Sequence, residues 1–173
     1  GAPEAYRSKG PPRERLAPSQ PMDRDRLLND LLNTGVTAAL IGGFALSNIQ
    51  GMVVEEDNAL LQAAYLLSFG AVHACTCACL TSAMLYREAN KLSDEAAEAW
   101  ANSNTLMLSL PWYKFSMGCF SYIVGVVLMT LDVLEDVAFS KWLSLVIGIM
   151  SCSTVFMTQA GIIKSKLALT VKA

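Results

Sequence analysis

The chain has 173 residues, of which 53% are hydrophobic and 16% charged, with a formal net charge of −2. An average soluble domain carries about 25% charged residues. This composition excludes a disordered chain, a coiled coil and a disulfide miniprotein, argues against an ordinary water-soluble enzyme, and gives no reason to expect nucleic acid as a partner.

Residues 1–26 differ from the rest. They hold five of the six prolines (Pro3, Pro11, Pro12, Pro18, Pro21) among mixed charges. Such a segment builds no core, and its own contacts do not offset the entropy of ordering it. It is expected to be an extended arm that orders only against a partner surface. A chain that begins at Gly1 rather than Met is expected either to have lost a targeting peptide, which would point to an organelle, or to have been trimmed at its start.

Four windows then follow that are almost free of charge. Residues 31–54 and 58–86 have none, 115–131 has none and extends back to 106 with Lys114 as its one charge, and 142–163 has none. A hydrocarbon core of about 30 Å needs about 20 apolar residues in helix. The windows are too long for strands, and membrane strands would alternate polar and apolar residues. The fold expected is therefore all-α, an integral membrane protein with transmembrane helices at about 31–54, 58–86, 106–131 and 142–163. Together they make a domain at 27–163, followed by a short basic tail at 164–173.

The basic residues assign the sides. Of the 13, Arg7, Lys9, Arg13, Arg15, Arg24 and Arg26 precede span 1, Arg87, Lys91 and Lys114 lie between spans 2 and 3, and Lys164, Lys166 and Lys172 follow span 4. Lys141 alone falls on the other side, which also carries Glu55, Glu56, Asp57, Glu135 and Asp136. By the positive-inside rule, both termini and the 2–3 segment face the inner compartment. Within that segment, Ser93 has the character of an N-cap, Asp94 and Glu95 suit the first turn of a helix, and Ala96, Ala97 and Ala99 continue it. Pro111 is expected to break or kink a helix that begins near residue 106.

Few residues suggest chemistry. A helix turns about 100° per residue, so Cys75 and Cys79 share a face and Cys77 points away. Three ligands do not converge from there, and zinc prefers a different spacing, so the cysteines read as small apolar packing residues and no metal site is expected. His73, the only histidine, lies within the apolar part of span 2. An intramembrane histidine serves a chlorophyll magnesium, a haem or a helix–helix hydrogen bond, and His73 is the candidate pigment ligand. Asp132 ends the apolar run of span 3 and needs a partner such as Lys141 or water. Glu55, Glu56 and Asp57 form an acidic rim that can concentrate cations or simply be solvated. Small residues crowd spans 1 and 2, among them Gly35, Ala38, Gly42, Ser68, Ala71, Ala78 and Ser82, and permit close helix contact. No nucleophile–base pair or phosphate loop stands in the polar segments, so no catalytic residue is expected.

Span 1 contains Thr37-Ala38-Ala39-Leu40-Ile41-Gly42-Gly43-Phe44-Ala45, and span 3 contains Gly125 followed seven residues later by Asp132. Both stretches resemble the Orai calcium-channel family, in its pore-lining first span and its third span. Four spans, inner termini and a helical extension after span 2 agree with that family over about residues 27–163. The resemblance implies a homo-oligomer whose first spans surround a pore in the plasma membrane. Two family features are missing. The selectivity acid would fall near Gly51, and residues 31–36 lack the family's basic pore residues. A glycine ring offers no side-chain oxygen to a divalent ion that prefers about six to eight oxygen ligands, so the chain alone is expected to conduct no calcium.

Taken together, these features lead us to expect a non-catalytic accessory subunit of a large organellar bioenergetic complex. Its partners would be other membrane subunits and the lipid bilayer, and chlorophyll or carotenoid and lipids are its expected cofactors. A photosystem or its antenna in the thylakoid stands ahead of a respiratory or ATP-synthase complex in the mitochondrial inner membrane. The alternative is an Orai-like cation channel.

Overall fold

A computed structural model describes residues 24–134 and 137–170, with side chains up to residue 161 and at residue 164. Residues 1–23 of the arm, Glu135, Asp136 and Lys172 lie outside the described residues. Five helices follow in order: α1 (Arg24–Gly51), α2 (Ala59–Ala89), α3 (Asp94–Ser103), α4 (Thr105–Val133) and α5 (Ala138–Thr170). Four of them, α1, α2, α4 and the Ala138–Gly161 part of α5, are long and apolar enough to cross a membrane. The chain is all-α, and these helices fit a membrane protein.

Several boundaries differ from those expected. The last three arm residues, Arg24, Asp25 and Arg26, are already helical. Arg24 explains this: its guanidinium donates to the Asn90 carbonyl and side-chain oxygens at 3.0 and 2.9 Å and stands 3.9 Å from the Asp94 carboxylate. The first turn of α1 is thereby tied to the end of α2 and the start of α3. Span 1 stops at Gly51, three residues short of 54, and Val53 beyond it is exposed. Pro111 does not break α4, which continues through it with the ring buried. As the seventh residue of the helix it forfeits a single ladder bond, the one its nitrogen would have donated to the Met107 carbonyl. Ser93 does stand at the N-cap of α3 in extended conformation, but its side chain makes no capping hydrogen bond.

The centre of the molecule is α2, packed on both α1 and α4, whereas α5 packs mainly on α4. Of the buried positions on α2, Ala64, Ser68, Ala71, Cys75, Ala78, Ser82, Leu85 and Ala89 recur at alternating intervals of four and three, with Ala74 buried beside them. On α1 the matching positions are Leu28, Leu31, Gly35, Ala38, Gly42 and Ala45. Such a seven-residue repeat keeps one seam facing its partner along the whole length. On α4 the repeat is sparser, with Pro111, Gly118 and Gly125 buried at seven-residue steps.

Glycine sets the approach. A Cβ placed at Gly35 would meet Ser82 Cβ at 3.2 Å, and one at Gly42 would meet Cys75 Cβ at 3.2 Å. On the other side of α2, a Cβ at Gly125 would meet Ser68 Oγ at 2.9 Å, and one at Gly118 would overlap Cys75 Sγ. Cys75 is fully buried and thus sits between two glycines of different helices. Helices that cross a membrane associate through such close van der Waals contact rather than through a hydrophobic drive. At the Arg24 end, Leu27, Leu28, Leu31, Leu85, Ala89 and Ala101 form an apolar cluster with Tyr86, Trp100 and Leu108 packed against it, joining α1, α2, α3 and α4.

Candidate functional site

The polar features fall at two places, the α1–α2 turn and the middle of α2. After Gly51 the chain turns through Glu55, Glu56 and Asp57, and Asn58 caps α2. Its side-chain oxygen accepts from the Leu61 N–H at 3.0 Å, satisfying one of the free donors of the first turn. The Asn58 amide nitrogen donates in the other direction, to Asp132 Oδ1 at 2.7 Å across 74 residues of sequence. The Gln62 amide closes the turn by donating to the carbonyl oxygens of Glu55 and Glu56 at 3.2 and 2.7 Å.

Asp132 comes seven residues after Gly125, on the strip of α4 that faces α2. The acid expected to need Lys141 or water therefore finds Asn58. Lys141 lies nearby, in the wall of the same cleft, but the ion pairs among the described residues are Arg24–Asp94 and Lys91–Glu88. The cleft has a volume of about 380 Å³ and is lined by Glu55, Asp57, Asn58, Ala59, Leu60, Leu131, Asp132 and Lys141. Two members of the expected rim, Glu55 and Asp57, thus come together with Asp132; the side chain of Glu56 stands exposed outside the cleft. Three carboxylates against one ammonium make the cleft attractive to cations. No group of three His, Cys, Asp or Glu among the described residues is arranged to hold a metal ion.

Asn58 is the residue that sequence reading passed over as a member of this site. A signal for its capping role existed: an asparagine directly before an apolar helical run is an N-terminus mark. Nothing in the sequence signals its bond to Asp132.

His73 lies one residue from the centre of α2 and is exposed on the outer surface of the bundle. Phe69, one turn earlier, meets the imidazole in an edge arrangement with ring centres 4.5 Å apart, and the ring makes no hydrogen bond among the described residues. Gly70, Thr76 and Cys77 share this exposed face, and a Cβ at Gly70 would meet nothing within 4 Å. The cysteines separate as helical geometry requires: Cys75 is buried, Cys79 half-buried and Cys77 exposed, and all five in the chain are free thiols.

No family model matches the chain, and no curated protein or solved structure matches it.

Proposed function

We propose that this protein is a non-catalytic accessory subunit of a larger heteromeric membrane complex. The observation that carries this reading is His73, a polar ring on the exposed mid-face of a helix apolar enough to span a bilayer. Facing lipid there, a polar group without a hydrogen-bond partner costs on the order of 2–7 kcal/mol, so the face calls for a cover that supplies one. The exposure of α5, which packs mainly on α4, agrees with packing against further subunits. Within this reading we favour an organellar bioenergetic complex, a photosystem or its antenna before a respiratory or ATP-synthase complex. The support is the open surface beside the imidazole, where a Cβ at Gly70 would meet nothing within 4 Å, which leaves room for a flat macrocycle. His73 would hold the pigment through its magnesium, and the pigment would supply light absorption.

Replacing His73 with leucine in the native complex tests this. The expected outcome is loss of one bound pigment per chain, read by absorption and by extraction, with the four spans still inserted. Normal pigment content together with normal assembly would overturn the pigment role.

Topology is tested separately. We expect a cysteine placed at residue 56 to react with an impermeant maleimide from the side opposite to one placed at residue 91, because 12 of the 13 basic residues fall on one side. Labelling of both from the same side would refute this arrangement.

A second reading, an Orai-like homo-oligomeric channel, is favoured by the surface of α1. Thr37, Gly43, Ser47, Gln50 and Gly51 are all exposed on a helix whose opposite face packs on α2. The purified particle separates the two: a heteromeric assembly supports the first, and a closed ring of identical chains with calcium influx in liposomes supports the second.

A further inference from the structure

One charge stands inside a span. Gly42 of α1 and Gly118 of α4 both lie against Cys75 of α2, so the three share one level. The charge-free stretches of α1 and α2 end at Leu31 and Tyr86. Both lie about 16 Å along their helices from that level, at a rise of about 1.5 Å per residue. A hydrocarbon core of about 30 Å therefore has its midplane close to Cys75. Lys114, one turn from Gly118 toward the Tyr86 end, sits about 6 Å from the midplane. Its five side-chain bonds of about 1.5 Å carry the ammonium at most about 6 Å further. Full extension toward that end still leaves the charge inside the core.

Lys114 is exposed on the outer side of α4 and makes no hydrogen bond or ion pair among the described residues. A charge facing hydrocarbon is costly, and such residues pair with an opposite charge. The surface around it has the spacing of a helix seam. Leu106, Leu110, Tyr113, Met117 and Phe120 recur at intervals of four and three, as the buried positions of α2 do, yet all five are exposed. Val127 lies two steps further along the same repeat, and there Gly148 lets α5 close on α4. This chain has no acid to bring to Lys114. Residues 31–54, 58–86 and 142–163 hold none, and Asp132 lies at the other end of α4. A second copy therefore supplies no carboxylate at this depth, and a lipid phosphate lies outside the core.

We propose that this face of α4 docks a transmembrane helix of a different subunit, one that carries an Asp or Glu at the depth of Lys114, and that the two form an ion pair inside the membrane. Leu110 and Met117, one turn to either side of Lys114, close the pair off from lipid. A buried pair adds little net stability, but removing one member strands the other charge, so the contact fixes which helix docks and at what depth. The inference rests on the accessory-subunit reading and names the chemistry of one contact within it.

The test has two arms. In native membranes, the tagged unaltered chain, Lys114→Arg and Lys114→Leu are separated by native electrophoresis in mild detergent. The unaltered chain and Lys114→Arg are expected in a heteromeric assembly, with Lys114→Leu depleted from it at least about tenfold because the partner's acid is left unpaired. An unaltered chain that runs alone or as a ring of identical chains would overturn the accessory-subunit reading and this contact together. Normal assembly of Lys114→Leu in an intact heteromer would overturn this contact only. The second arm places the purified full chain in phosphatidylcholine vesicles with a dansyl-labelled leucine–alanine helix of about 20 residues, bearing one Glu or Leu at the matching depth. Energy transfer from the tryptophans of the chain reads binding. The Glu helix is expected to bind at least about tenfold more tightly than the Leu helix. Lys114→Leu should abolish that preference, and Lys114→Glu should transfer it to a helix bearing Lys. Equal binding of the Glu and Leu helices would overturn the ion pair. Loss of the preference on adding phosphatidylglycerol would assign Lys114 to a lipid headgroup and overturn it too.

Discussion

Gly118→Ala is expected to destabilise the bundle by about 1–3 kcal/mol, the usual cost of forcing extra volume into a packed contact. The added Cβ overlaps Cys75 Sγ and lies 3.3 Å from the Cys75 nitrogen and 3.4 Å from the Ala71 carbonyl oxygen. The main overlap is with the sulfur of a fully buried side chain, which has little room to turn away, and the Cys75 nitrogen must also give by a few tenths of an ångström. Gly118→Leu should prevent the native α2–α4 packing altogether. Removing the sulfur with Cys75→Ala should restore part of the loss in Gly118→Ala, but not all, because the backbone contacts remain. Gly70→Ala is the reference: its Cβ meets nothing within 4 Å, and alanine is the better helix former by about 1 kcal/mol. Unfolding in mixed micelles, followed by tryptophan fluorescence, reads the series. The packing argument fails if Gly118→Ala is as benign as Gly70→Ala.

The second large effect is expected at Asn58, whose side chain does two jobs at once. Asn58→Ala loses the cap on α2, worth about 1 kcal/mol. It also loses the donor to Asp132, worth about 1.5 kcal/mol, the low end for a bond to a charged group because the pair is only partly buried. Asn58→Ser separates the two contributions. A serine still caps α2 but is too short to span to Asp132, so it should recover only the first part. Asp132→Leu should match Asn58→Ser, since it removes the acceptor and keeps the cap. If Asn58→Ser proves as stable as the unaltered chain in the same unfolding measurement, the bond across the turn contributes nothing.

The sequence alone determined the number of long helices, because hydrocarbon tolerates neither charge nor unpaired backbone and so writes spans as long charge-free windows. It also determined the short polar helix between spans 2 and 3, from Asp94 and Glu95 ahead of an alanine-rich turn. Helix ends were less legible. Arg24 begins α1 because of Asn90 and Asp94, which are distant in sequence, and Pro111 is tolerated because it costs one ladder bond in an otherwise intact helix. The small residues of spans 1 and 2 announced close packing, but not its partners. That Cys75 lies between Gly42 and Gly118, and Ser68 against Gly125, depends on the antiparallel register of three helices, which no single segment encodes. The same holds at the candidate sites. Hydropathy placed His73 within a span, and only the packing of α2 decided that it faces outward. The sequence marked Asp132 as an acid needing a partner, yet that partner is a capping asparagine 74 residues away, because a seven-residue repeat on α4 brings Asp132 level with the start of α2. Periodicity along one helix can be read from a string of residues; the level at which two helices meet is fixed by side-chain volumes on both, and so by the tertiary structure alone.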